Sequence, residues 1–181
     1  MSELQEIDKR VRQQLRRYGV RLPRAEPELH KVRRKYNPLD YICSHYDGQD
    51  RPSISIRVGG REWLVRHEYG HFLVDYFGLK RLAAYDAVFG GGWSGWEYEL
   101  LVPVARVTDT VLRKCFGVKP PFGLPTFYAL LGGEEDFCEC LAMLLSTRGR
   151  TTVDNEKLRR KLETVRRLLK MNCRRKHTSG D

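Results

Sequence analysis

"VRHEYGHFLVDYFG", residues 65–78, sets His67 and His71 four residues apart, with Glu68 directly after the first. On a helix that spacing stacks both rings on one face. Neutral imidazoles are good zinc ligands, with Zn–N distances of about 2.0–2.1 Å. Glu68 then lies beside the metal, placed to take a proton from a water held there. With 5 His and 13 Glu in 181 residues, the pattern arises by chance in about one such chain in a hundred. Two histidines buried only for packing would need other partners for four ring nitrogens. The stretch is read as a zinc site, one ion per chain, with Glu68 as general base.

Upstream, "SISIRV" (53–58) alternates β-branched and polar residues and predicts a strand ended by Gly59 and Gly60. The helix should start near Arg61 or Glu62, run to Tyr76 and end at Gly78. Its apolar residues are spread widely around the axis, but Leu64, His67, His71 and Val74 share one face by spacing. Two histidines leave zinc short of a ligand. The other histidines are His30, His45 and His177, and positions 74 and 77 are Val74 and Phe77, so a third histidine does not follow at HExxHxxGxxH spacing.

Downstream, "EEDFCECLAMLLSTRG" (134–149) predicts a second helix, over 134–145, with acids in its first turn where the helix dipole favours them. A carboxylate from this helix would complete a site of two histidines and one acid, with the fourth position open to water. The residues leave Glu135, Glu139 and Asp136 as candidates, Glu135 favoured. Glu135 and Glu139 share a face, so one could bind zinc while the other orients a histidine through its far nitrogen.

"HEYGH" followed by "EDFCECLAML" resembles the gluzincin metallopeptidases, and is most similar to the anthrax lethal factor-like peptidase domain. The resemblance covers roughly 53–145. It implies zinc held by His67, His71 and Glu135, with Glu139 orienting a zinc histidine and Phe137 in the family's aromatic place. It also implies a tyrosine seven residues before the ligand glutamate to steady the oxyanion, here Tyr128, with Tyr98 as its rival. Cys138 and Cys140 stand where the family has small residues, which leaves room for a role of Cys138 near the metal. In zincins an edge strand before the metal helix lies along the extended substrate, and "SISIRV" occupies that place in the order. The implied activity is that of a zinc metalloendopeptidase.

The rest of the chain supplies the frame. Leu4, Ile7, Val11 and Leu15 predict a helix stopped near Gly19, and Leu158, Leu162, Val165 and Leu169 predict a basic amphipathic one. A short helical turn is expected over 28–36, and "WEYELLVPVARV" (96–107) carries strand-forming residues. The expected fold is α+β and zincin-like: a small twisted sheet, the HExxH helix, the glutamate-bearing helix and extra amphipathic terminal helices. The parts are a basic N-terminal helix and linker (1–52), a catalytic core (53–150) and a basic C-terminal helix and tail (151–181), folded as one compact domain.

The formal net charge of +10 sits at the two ends. Residues 1–35 hold 11 Lys/Arg against 5 Asp/Glu and residues 151–181 hold 10 against 4, whereas 36–150 hold 12 against 14. Such ends suit a nucleic acid or an acidic partner, so a nucleic-acid-associated or partner-binding protein with a weakly active or inactive zincin core is the alternative to a peptidase. Five cysteines without a CxxC pair fit a reducing, cytoplasmic setting. The opening residues carry no apolar signal segment, and the apolar runs are too short to span a bilayer.

Overall fold

In the computed structural model the described residues are 2–24, 26–31, 44–48, 52–56, 62–90, 101, 103–105, 107–120, 123–148 and 153–175. Helix α1 (Glu3–Arg16) comes first. Ser2 and Gln5 form a capping box at its start, satisfying two backbone donors that the helix leaves open. Three short strands follow: β1 (Glu28–Lys31), β2 (Ser44–Asp47) and β3 (Ser53–Ile56). Next come α2 (Glu62–Phe77) and α3 (Ala83–Phe89), then α4 (Gly133–Ser146) and α5 (Glu156–Arg175). The whole is a mostly helical, zincin-like α+β fold with a small open sheet. Among the described residues no helix is long and apolar enough to cross a membrane.

The sheet order is β1-β3-β2, with β1 parallel and β2 antiparallel to β3. This corrects the placing of "SISIRV". Its described part is a strand, but the central one, and both of its backbone edges are taken. Ile54 and Ile56 point into the core, and that apolar alternation fixes the register. Both β2 and β3 pack on α2, and of these two it is β2 that lies at an edge of the sheet.

Two other expectations fail. Residues 28–31 are strand rather than helical turn, because pairing with β3 supplies their backbone partners from Glu28↔Ser53 to Lys31↔Ile56. The described residues between 101 and 108 are helical rather than extended. Pro103 has no N–H for a sheet ladder but is tolerated in a first helical turn. Residues 91–100, Tyr98 among them, lie outside the described residues.

One hydrophobic cluster joins Ile7, Val11 and Leu15 of α1 to the α2 and α4 interiors and to Leu162, Val165 and Leu169 of α5. Helix α2 buries residues on several faces, as its unpatterned sequence requires. Tyr69, inside the HEYGH stretch, faces α1: its hydroxyl donates to Asp8, and the Arg12 guanidinium lies 5.7 Å over its ring. Helix α2 ends at Gly78, whose φ of 59° is left-handed and suits glycine.

Gly70, between the two histidines, is where α2 and α4 meet. A Cβ there would lie 2.6 Å from Cys138 Sγ and 2.8 Å from Cys138 Cα. An alanine would favour an isolated helix by about 1 kcal/mol, but here it presses on backbone. Gly70→Ala is therefore expected to destabilise the protein by about 1–3 kcal/mol, read as a lower urea midpoint at unchanged m-value.

Candidate metal centre

The site lies where α2 faces the first two turns of α4. His67 and His71 project from α2 one turn apart, their ring centroids 5.1 Å from each other. Helix α4 answers with three carboxylates. Glu139 accepts from His67 Nδ1 at 2.7 Å, and Glu134 accepts from His71 Nδ1 at 2.7 Å. Glu135 lies between the rings, its Oε2 being 3.0 Å from His67 Nε2 and 3.6 Å from His71 Nε2. Both inner nitrogens thus converge on one buried carboxylate oxygen, and both outer nitrogens are held by other carboxylates. His67, Glu135 and Glu139 are all buried.

Each of these two outer carboxylates has its own support. Glu139 also accepts from the Trp63 indole at 3.2 Å. Glu134 pairs with Lys80 at 2.5 Å. Tyr46, on β2, stacks on His71 with centroids 6.5 Å apart and planes within 3°, and bonds to Asp75 through its hydroxyl. The Tyr128 ring lies 5.6 Å from His67, on the 3-10 turn Phe127–Leu131. Glu68 is buried on α2 next to His67.

Charge follows this packing. Burial opposes a charged His67 ring, yet its bonds to Glu135 and Glu139 outweigh that and hold its pKa well above the ordinary value. Burial also opposes a charged His71 ring, and its bonds to Glu134 and Glu135 raise it in the same way. Burial would raise Glu135, but the two imidazoles hold it well below the carboxylate range. Burial raises the Cys138 thiol.

These residues fit a zinc ion. Tetrahedral donors about 2.0–2.2 Å from a metal sit about 3.3–3.6 Å from one another, and the two Nε2···Oε2 distances of 3.0 and 3.6 Å bracket that range. The orienting carboxylates are the outer partners that zinc histidines need. A thiol joins the set: single donor atoms of His67, His71 and Cys138 all lie within 4.8 Å of one another. A metal-binding cluster with HExxH spacing is therefore present, and it contains a sulfur.

The structure brings His67, His71, Glu135, Glu139 and Tyr128 together. Asp136 faces elsewhere: its carboxylate takes Lys161 of α5 at 2.5 Å. Sequence reasoning missed Tyr46, Trp63 and the bond of Glu134 to His71. Glu134 precedes Glu135 by one position, and only the tilt of α4 across α2 decides which histidine it meets. Compared with protein-family models, with curated proteins and with solved structures, the chain matches none of them.

Removing an orienting carboxylate should loosen the metal without abolishing it. Glu139→Ala and Glu134→Ala are each expected to weaken zinc affinity about 10–100-fold, measured by competition with a chromophoric chelator. Asp136→Ala should leave that affinity within a few-fold and instead cost about 3 kcal/mol of stability, because Lys161 loses its buried partner.

Proposed function

We propose that this chain is a basic, partner-binding protein built around a zincin-type zinc centre whose hydrolytic power is weak or silent at rest. The observation that supports this reading best is how fully the protein's own groups surround the two imidazoles. Hydrolytic zinc sites offer three protein ligands and keep a position for water, whereas closed sites take four protein donors. His67, His71 and Cys138 bring three donors together, and Glu135, 3.0 and 3.6 Å from the inner histidine nitrogens, is the candidate for a fourth. The two basic ends are then the parts that engage a nucleic acid or an acidic partner.

A second reading, a zinc metalloendopeptidase, is supported by the placing of Glu68 and Tyr128. When bound, zinc lowers the pKa of a water and polarises a carbonyl. Glu68, buried next to His67, would take the proton of that water and return it to the leaving amine. Tyr128, beside the His67 ring, would donate its phenol to the developing oxyanion. Glu139 would hold His67 in place through Nδ1. The antiparallel β2, packed on α2 and carrying Tyr46, would offer its backbone to an extended peptide.

Metal content and peptide turnover, measured together, separate the two. Under the first reading the wild type holds about one zinc per chain and turns over peptides weakly, and Cys138→Ala loosens the zinc while raising turnover. The cobalt-loaded wild type should also show a thiolate charge-transfer band that Cys138→Ser lacks. Under the second reading wild-type turnover is robust, and Glu68→Gln lowers it about 10²–10⁴-fold with zinc content unchanged. A wild type that takes up no zinc would sink both.

A further inference from the structure

The two basic ends of the chain meet in space. Arg17, the C-cap residue of α1, Arg148, just past the end of α4, and Arg166, in the middle of α5, line one cavity of about 210 Å³ with Gln14, Tyr18 and Leu145. Among the described residues no acid lines this cavity and none of the three guanidiniums is ion-paired. Burial raises the Tyr18 hydroxyl's pKa, and Arg166 and Arg17 both work against that rise. The cavity is many times larger than the roughly 10–15 Å³ that one water needs.

The bland explanation covers only part of this. Cations are favoured at helix C-termini, which accounts for Arg17 and Arg148. It does not account for Arg166, which is mid-helix. Three like charges around one cavity repel, and an anion is what relieves them. Planar guanidinium forks match the oxygens of a phosphate.

We propose that this arginine seam binds a phosphate of a nucleic-acid backbone without reading its sequence. The surroundings favour a polyanion over a free ion. Arg159, Arg166 and Lys170 are all exposed on α5, spaced seven and four residues apart, so they share a face over about 16 Å of helix. Arg16 is exposed beside Arg17 on α1. Cations thus lie on both sides of Arg166 along this face, with one exposed acid, Glu163, between Arg159 and Arg166. The inference rests on the partner reading of the basic ends given above and is independent of the metal.

The test uses the full chain and a labelled mixed-sequence oligonucleotide, with affinity measured by fluorescence anisotropy over a range of salt. The seam variant carries Arg17→Gln, Arg148→Gln and Arg166→Gln. A charge-matched control carries Arg24→Gln, Lys31→Gln and Lys119→Gln, all exposed positions away from the seam. All six changes are at exposed residues, and circular dichroism melts check that both variants fold. The seam variant should lose about tenfold or more in affinity, and its slope of log K against log salt should become shallower by about one. The control should lose less and keep its slope.

Equal losses in the two variants, or an unaffected seam variant, would overturn the seam while leaving nucleic-acid binding by the chain intact. A wild type that binds inorganic phosphate or anionic vesicles but no oligonucleotide would overturn the nucleic-acid assignment. A wild type that binds none of these would overturn both the seam and the partner reading of the ends.

Discussion

The close crossing of α2 and α4 is the constraint on which the rest depends. The helices touch at Gly70 and Cys138 with no room for a β-carbon between them. Only at that spacing do glutamate side chains from α4 reach the rings on α2 at 2.7–3.0 Å. The other elements hold this pair in place. Tyr69 anchors α2 to α1 through Asp8, and Lys161 anchors α4 to α5 through Asp136. Helix α2 is therefore enclosed by neighbours, and its sequence shows no single apolar face.

Four acids within six residues of α4 would be expensive to bury unpaired. Each has its own answer. Glu134 meets His71 and Lys80; Glu135 meets the inner nitrogens of both histidines; Asp136 meets Lys161; Glu139 meets His67 and Trp63. The helix turns about 100° per residue, so neighbouring acids are sent to different elements. A cation shared by Glu135 and the two imidazoles would replace protons that now hold that part of the network together.

Much of the centre was legible because its spacing is local. His67 and His71 are one turn apart, and so are Glu135 and Glu139, and helical periodicity carries both facts from sequence to space. The terminal helices were legible for the same reason, since Ile7, Val11 and Leu15 recur at a helical interval. What could not be read depends on which elements meet. "SISI" reads as a strand in either position, and nothing in those residues tells an edge from a centre; the partners on both sides decide it. The strand at Glu28–Lys31 owes its form to β3, and its own residues carry no alternating apolar pattern. Tyr46 reaches His71 only because β2 lies over α2. The arginine seam was invisible because its members are 131 and 18 residues apart along the chain.

Helix α4 links the two ends of this molecule. Its acidic first turn meets the histidines, and beyond its last turn Arg148 enters the seam with Arg17 and Arg166. The helix dipole favours this polarity, with anions at the start and a cation after the end. The segregation of charge along the sequence is thereby repeated in space. In the near-neutral middle of the chain Glu134, Glu135 and Glu139 are taken by the histidines, and Asp136 and Glu62 reach Lys161 and Arg10 of the terminal helices, but among the described residues no acid lines the seam. Moving an acid from the centre to the seam would weaken both places at once, because the histidines would lose an orienting group and the arginines would gain the internal anion that they now lack.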